Sequence, residues 1–570
     1  MSAAEMTGNA IVCAVLEQLG VQHTFGLPGT QNVPLFEALR QSHIRTVVPT
    51  HELAASFMAG AYYRASGRVG VLVTIPGPGF AYALAGLAEA RLDSAAVVHL
   101  VGAPASGPGR AFNLQAFDQR GMVLPLVKGV IDVPSADRVA DAVLKAFTLA
   151  EDGEPGPVVV QLAAEALNGT ASFSRGEPTT RSAPVPDPDA VSRVAKRLRD
   201  AGRVVLYVGQ GARGAAVEVR QLAERIAAPV ATTPSGRGTL PEDHPLALGF
   251  DGIRAGPGPL NALMADADAV LVLGAKLGHN GTAGFAVAFP RDRTVQVDSD
   301  RAVLGANYDV AELVQASIAP FLNSLMAHDL GPAVPRGWAV DAISECRNQL
   351  RGHNGRATDP RIQGTDDGTP AALFAKLQSQ LPRDAILVTD TGRHQQLARR
   401  FYDVLAPRGL LLPSDLQSMG FGLSAAIAAK LAAPERPVVA VIGDGGFLMS
   451  GLELATAVRE QIAITVVVFS DGAYGQIRDH QLMEYGRSHG VAIGSVPIEG
   501  VARALGCDFV RFSSMGSEPW VRSSGVLVVE VDLSDSRGMR AAQATAVMRG
   551  AARRVVGESL LRRLKRLLGT

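Results

Sequence analysis

The residues best suited to chemistry stand in one stretch of the carboxyl-terminal third. Pro437 to Ile442 reads as a buried strand, and Gly443-Asp444-Gly445-Gly446-Phe447 follows at its carboxyl end, where open α/β sheets bind ligands. Glycines there let the backbone approach an anion. Glu453, with the face of Leu452, Leu454, Ala457 and Val458, predicts a continuing helix whose amino end favours phosphate. Asp444 is left to hold a hard cation. The next strand, Thr465 to Phe469, ends in Ser470-Asp471-Gly472-Ala473-Tyr474-Gly475 and sets Asp471 at the same sheet edge, 27 positions after Asp444. Two carboxylates facing one crevice suit magnesium or calcium bound together with phosphate oxygens. Taken alone, Gly-Asp-Gly after a strand is more often a plain turn, and it is the partner aspartate that points to a cation.

The whole stretch from Gly443 to Arg478 resembles the thiamine-diphosphate motif of the acetohydroxyacid synthase and 2-oxo acid decarboxylase superfamily. That motif begins Gly-Asp-Gly and closes on a pair of asparagines about 27 residues later. In the family the aspartate, the second asparagine and a backbone carbonyl two residues on bind the metal, and here these fall on Asp444, Asp471 and Ala473. This chain has Ser470-Asp471 in place of the asparagine pair. The aspartate adds a negative charge beside an anionic diphosphate, a cost of about 1 to 4 kcal/mol at about 4 Å that the metal is expected to offset. Thr389-Asp390-Thr391-Gly392-Arg393-His394 matches the family turn that holds diphosphate oxygens, which implies Gly392, Arg393 and His394 as contacts, beside Gly443 to Gly446, Tyr474 and Gly475. Met419, in Gln417-Ser418-Met419-Gly420, falls where the family wedges a bulky residue between the two cofactor rings.

Such catalysis needs a carboxylate beside the aminopyrimidine, set in apolar surroundings. Glu52 opens the strongly apolar stretch Leu53 to Arg64 after His51 and resembles the family's activating glutamate; for an isolated glutamate, complementing the helix dipole is the plainer role. The turns Gly26-Leu27-Pro28-Gly29 and Pro76-Gly77-Pro78-Gly79 match family loops on the pyrimidine side, implicating Pro28, Gly29 and Gly77. Ala111 to Asp118 is similar to a Phe-Gln-Glu segment of the synthases, with Gln115 retained as a substrate or thiazolium contact and Ala116 in place of the acid. On the substrate side, Gln476 and His480 stand where synthases carry Met and Trp. Together with Arg478 they would bind a polar substrate or take part in protonation; solvated surface is the plain alternative. Lys276 replaces a substrate-binding Arg.

The elements that must position these residues are legible as apolar runs rich in Val and Ile, each followed by a Gly-containing turn and a helical stretch, the pattern of βα units on parallel sheets. Strands are expected at 71–74, 96–101, 158–162, 204–208, 269–273, 294–297, 386–389, 438–442, 465–469 and 526–531. A chain of 570 residues exceeds one core, which predicts three doubly wound parallel-sheet α/β domains. These are a pyrimidine-binding domain at 1–170, a middle domain at 186–332 and a diphosphate- and metal-binding domain at 370–535, with a basic, helical tail at 536–570. Pro-rich 168–190 and polar 352–370, with little to bury, mark the boundaries. The first and third domains would share a plan. The amino terminus reads as an amphipathic helix. In the middle domain Gly209-Gln210-Gly211-Ala212-Arg213-Gly214 spells GxGxxG without an evident acid about 20 residues on, leaving FAD or ADP as an option.

Composition bounds the partners. Lys and Arg equal Asp and Glu at 54 each, so no global field favours nucleic acid or an anionic membrane. Three scattered cysteines without CxxC spacing argue against a disulfide framework or structural zinc and favour a cytoplasmic setting. No apolar stretch of about 20 residues appears. The tail from 537 carries nine basic residues against Glu558 alone; a helix packed on the protein's own dimer is the plain reading, a membrane surface or acidic partner the other. The resemblance implies a homodimer or homotetramer in which Glu52 of one subunit meets the diphosphate domain of another. It implies decarboxylation of a 2-oxo acid and transfer of the acyl carbanion to an aldehyde or oxo-acid acceptor. The alternatives are simple decarboxylation of a polar 2-oxo acid, or a flavin-dependent oxidase reaction.

Overall fold

A computed structural model describes residues 4–103, 113–174, 184–253, 256–331, 337–351, 370–514 and 519–533. The basic tail, the polar stretch 352–369 and residues 111–112 lie outside them. Each long Val- and Ile-rich run is a strand buried on both faces, as parallel sheets covered by helices require. The strands form three parallel sheets, and the first and third share one plan. Across the first sheet the order is Arg45–Val47, His23–Gly26, Gly70–Thr74, Val97–Gly102, Pro157–Leu162, Gly129–Val133. Across the third it is Leu410–Leu411, Ile386–Thr389, Val438–Gly443, Ile464–Ser470, Val526–Asp532, Asp508–Arg511. Both therefore run second, first, third, fourth, sixth, fifth. The middle sheet runs Val230–Thr232, Val204–Val208, Ala269–Leu273, Thr294–Asp298, Glu312–Gln315. In all three the order reverses between the first strand and the third, and there the loops at the carboxyl ends open a crevice.

One apolar core runs through the first and third sheets. Helices Glu52–Ser66 and Phe421–Ala432 pack together, and Phe57 meets the Phe421 ring edge-on at 5.6 Å. Helix Pro78–Leu92 crosses Glu52–Ser66 so closely that a Cβ on Gly86 would lie 1.9 Å from Ser56 Oγ, which only glycine avoids. Polar ties link the same two units: Glu453 accepts from Thr50 N at 3.0 Å, and Arg45 pairs with Glu460 at 2.9 Å. The middle sheet joins the third through buried ions. Arg237 forks onto Glu242 at 2.7 Å through both nitrogens and donates to the Arg399 carbonyl at 3.1 Å, while Arg399 forks onto Asp251 at 3.0 and 2.7 Å. Trp338, Cys346 and Leu350, beyond residue 332, pack on the middle sheet.

Two local expectations are corrected. The amino terminus is not an amphipathic helix from its start. Ala4–Thr7 is a strand paired antiparallel with Thr170–Phe173, inside the segment read as having little to bury, and helix Gly8–Gln18 after it is buried along most of its length. The helix after Gly443 is two short ones, Asp444–Ser450 and Glu453–Arg459, and Leu452 between them is 64% exposed instead of facing a core. In the middle domain Asp298, ending the fourth strand of the sheet, lines the same cleft as Gly211, Arg213 and Gly214. Among the described residues no helix is long and apolar enough to cross a membrane.

Candidate functional site

Two half-sites form at the switch points of the first and third sheets. In the third, strands Ile386–Thr389 and Val438–Gly443 lie side by side and deliver Asp390-Thr391-Gly392 and Asp444-Gly445-Gly446 to one crevice. His394 sits between the two turns: a Cβ on Gly443 would lie 3.0 Å from its Nδ1, and one on Gly392 would lie 2.8 Å from its Cε1. Burial lowers the His394 pKa to about 4, so the ring is neutral, and its Nε2 finds no partner among the described residues. The Thr389 and Thr391 hydroxyls are buried without partners as well. A Cβ on Gly445 would meet the Tyr474 ring at 2.8 Å and Met419 Cε at 3.2 Å, so these three close on one spot.

The acidic edge is ordered by backbone. Asp444 Oδ2 accepts the N–H groups of Asp471 at 3.0 Å and Gly472 at 2.7 Å, and Oδ1 accepts that of Gly445 at 2.9 Å. Burial first, opposed by these bonds and reinforced by the Asp471 charge, leaves the Asp444 carboxyl above its ordinary pKa. Ala473 is buried, bridged to Ala492. Among the described residues no three His, Cys, Asp or Glu side chains gather as a cage. A cation held there would rely on two carboxylates and a carbonyl.

Asp471 is not the uncompensated charge that the sequence implied. Its Oδ2 is gripped by Arg393 at 2.6 Å and Arg478 at 2.8 Å. Arg393 thus turns to Asp471, Asp479 and the Gly475 carbonyl, and Arg478 to Asp471, which withdraws it as a free substrate contact. Gly475 is the floor of this cluster: a Cβ there would lie 2.5 Å from Asp471 Oδ2. Gln476 is half-buried and His480 exposed on helix Gly475–Tyr485, which has no buried residue.

In the first sheet, Glu52 stands at the amino end of Glu52–Ser66, behind the His51 cap, with Oε1 3.1 Å from where a Cβ on Gly79 would be. Ile75 fills the same corner and also meets Gly29. Gly77, at φ 70°, donates to Gln119 at 2.9 Å. Gln115, held at φ 59°, packs on Gly77 and accepts from Gln31. A side chain other than glycine in that region marks a constrained position. Pro28 is exposed at the rim of the turn that Gly29 closes by donating to Asn32 at 2.7 Å. Glu52, Gly29, Gly77 and Gln115 are thus together, while Pro28 lies outside them.

Within one chain the halves do not meet at Met419. Glu52 lies against Gly79 at the start of helix Pro78–Leu92, whereas Ser418, beside Met419, binds Glu89 near its end. Ten residues of helix separate the two points, roughly 15 Å.

Sequence reasoning passed over the residues that hold the Met419 loop. Asp390 Oδ2 accepts from Gly420 at 2.9 Å, and Glu89 and Asp93 accept the N–H groups of Ser418, Ser414 and Asp415. Asp390 directly follows a strand, a cue the sequence did offer; Glu89 and Asp93 lie 300 positions or more from their partners.

Three family models match in order: the thiamine pyrophosphate enzyme N-terminal TPP binding domain at 6–122, the central domain at 191–325 and the C-terminal TPP binding domain at 390–518. The chain belongs to the thiamine pyrophosphate enzyme family. With that family comes thiamine diphosphate as cofactor. Among curated relatives, the acetolactate synthase isozyme 1 large subunit of Escherichia coli is 31% identical over 84% of each chain. The probable acetolactate synthase large subunit of Methanocaldococcus jannaschii is 30% identical over 86% of this chain and 85% of that one. A probable 2-ketoarginine decarboxylase of Pseudomonas aeruginosa is 30% identical over 88% of this chain and 89% of that one. As a thiamine pyrophosphate enzyme, the chain carries the two candidate half-sites on the two sheets of identical plan, one in each TPP binding domain.

Proposed function

We propose that the protein decarboxylates a 2-oxo acid and transfers the resulting acyl carbanion to a carbonyl acceptor, as an acetolactate-synthase-like carboligase using thiamine diphosphate and magnesium. The observation that carries this is the pair of half-sites, Glu52 against its glycine turn and Asp444 beside Asp471, in a chain 30 and 31% identical to named acetolactate synthases.

The residues fit the cofactor. Buried, unpartnered Thr389, Thr391 and His394 atoms need a polar partner, and the glycine turn beside them admits backbone where a side chain would clash. Gly443 to Gly446, Gly392 and His394 would hold the diphosphate; Asp444, Asp471 and the Ala473 carbonyl the cation; Gly29, Gly77 and Glu52 the pyrimidine. Arg393 and Gly475 act through the ion cluster, and Met419 and Tyr474 shape the space between the halves. When bound, thiamine diphosphate would supply a carbon nucleophile for the oxo carbon and a cationic ring that stabilises the electron pair left as carbon dioxide departs. Glu52 exchanges a proton with the aminopyrimidine. Gln115, Gln476 and His480 orient the acceptor or move a proton on the substrate side.

The assembly in this reading is a homodimer or a pair of dimers. Leu448, Met449 and Ile477 are 57, 56 and 49% exposed around the Asp444 half, and Tyr82, Leu114 and Met122 are exposed on the Glu52 side. Apolar rims on both halves suit each other across two copies. The middle cleft, about 320 Å³ and lined by Gly211, Arg213, Lys276 and Asp298, suits an adenine nucleotide such as FAD. Arg213 leaves two buried nitrogens unpartnered there. Three buried, unpaired thiols favour the cytoplasm.

A second reading, decarboxylation of a polar 2-oxo acid, is favoured by Gln476 and His480 and by the relative named as a 2-ketoarginine decarboxylase. A flavin-dependent oxidase is the third, and it requires a yellow preparation that reduces an acceptor. The deciding test supplies protein, thiamine diphosphate and magnesium with a panel of 2-oxo acids, with and without aldehyde acceptors. Hydroxy-ketone products are expected, and a free aldehyde alone, whatever the acceptor, sinks the carboligase reading.

A further inference from the structure

Four charges meet where helix Gly475–Tyr485 leaves the acidic edge. Arg393 bridges Asp471 at 2.6 Å and Asp479 at 2.5 Å, and Arg478 reaches Asp471 at 2.8 Å from one turn along the helix. All four side chains are at most 32% exposed, so their Coulomb coupling is less screened than at a surface. Two guanidinium groups against two carboxylates sum to zero. Asp444 stands next to this balanced cluster, accepting the Asp471 N–H at 3.0 Å.

The arrangement is built. A Cβ on Gly475 would lie 2.5 to 2.8 Å from Asp471 Oδ2, Arg393 Cζ and Arg393 Nη1. Arg393 also donates to the Gly475 carbonyl at 2.8 Å, which fixes the plane of its fork. Two atoms are left over, Arg478 Nε and Asp479 Oδ1, both buried and without a partner among the described residues. An unused donor is thus left beside Asp471, and leaving it bare costs free energy in the ligand-free protein.

We infer that Arg393 and Arg478 are the built-in countercharge of Asp471, so that diphosphate affinity is set by this internal pairing and not by the cation alone. The inference rests on the thiamine-site reading above. It also replaces the expectation that the metal alone offsets the charge of Asp471. Removing an arginine leaves an extra negative charge beside the diphosphate. Removing Asp471 leaves an extra positive one.

The test is calorimetric titration of thiamine diphosphate into the full-length protein, at limiting magnesium and then at saturating magnesium. Arg478→Gln is expected to weaken binding roughly tenfold at limiting magnesium, the scale of one unit charge across a partly screened site, and to recover much of it at saturation. Asp471→Asn is expected to bind more tightly than wild type at limiting magnesium. The double variant Asp471→Asn with Arg478→Gln returns to within about threefold of wild type, as a coupled pair does. If Asp471→Asn weakens binding as much as Arg478→Gln and the two losses add, the inference is overturned. Should Asp471→Asn fail to fold, Arg478→Lys decides, because it keeps the charge and loses the fork. Affinity near wild type supports the countercharge, and a loss equal to that of Arg478→Gln removes it. Wild-type protein that binds no thiamine diphosphate refutes the site itself, a different result from either.

Discussion

Glu89, one turn from the end of helix Pro78–Leu92, accepts the backbone N–H of Ser418 at 3.0 Å, and this bond ties the first domain to the loop that carries Met419. Burial, and then the charge of Asp93, pushes the Glu89 carboxyl up to about 8. The folded protein therefore holds a proton that the unfolded chain, near 4.5, releases. Stability from that proton is complete below 4.5 and is lost as the pH rises toward about 8. Asp390, pushed up to about 6 by burial, adds to the same slope at lower pH. Glu89→Gln mimics the protonated form. Its melting temperature should match wild type near pH 5 and exceed it near pH 8, as read by thermal denaturation across that range. Parallel curves would show that Glu89 is not the titrating group.

Glu52→Gln keeps the shape of the corner at Gly79 and Ile75 and removes the basic oxygen. Turnover of any 2-oxo acid should fall by about 10² to 10⁴, while thiamine diphosphate still raises the melting temperature. The lost charge at the amino end of helix Glu52–Ser66 should cost only about 0.3 to 1 kcal/mol. Retained turnover in the variant would return Glu52 to the role of a helix-end acid.

What the sequence made legible follows from burial. The ten expected strands are all present, and each lies inside a sheet with neighbours on both sides. Besides the short interior strand His23–Gly26, the strands of the three sheets outside that set are their six edges: Arg45–Val47, Gly129–Val133, Val230–Thr232, Glu312–Gln315, Leu410–Leu411 and Asp508–Arg511. Edge strands are short and several are half exposed, so no apolar run marks them. Strand Ala4–Thr7 was hidden for a related reason, since its partner comes 160 residues later.

The site divides in the same way. Glycine turns at strand ends, Asp444 and Glu52 could be read because each stands beside a long apolar run. The charge state of Asp471 could not, because its compensation comes from Arg393, 78 positions earlier, as well as from Arg478. A spacing argument sees the aspartate and one arginine, and only the folded loop brings the second guanidinium over Gly475.

The buried ions between the middle and third domains predict an acid-labile joint. Burial raises the Asp251 pKa, but Arg399 and Arg237 outweigh it and hold the carboxyl below its usual 3.8. Its contribution is present above that value and is lost as the pH falls through the folded one. Asp251→Asn leaves Arg399, 5% exposed, without its forked partner, and should destabilise by about 3 to 5 kcal/mol. Chemical denaturation at neutral pH measures the loss. A variant as stable as wild type would mean that Glu242 and the backbone carbonyls suffice for both arginines.

Shared sites make the boldest expectation about assembly. Glu52 and Met419 sit toward opposite ends of helix Pro78–Leu92 within one chain, and in the proposed dimer a complete site would pair Glu52 of one copy with Asp444 of another. Glu52→Gln and Asp444→Asn proteins should each be inactive alone. Unfolded together and refolded, they should regain product formation, because mixed dimers contain one site with both native carboxylates. Leu448→Glu, which places a charge on an exposed apolar rim, should shift the protein toward monomers in light scattering and lose activity in parallel. Mixing that restores nothing, with heterodimers demonstrated by mass, would show that both carboxylates serve a site within a single chain.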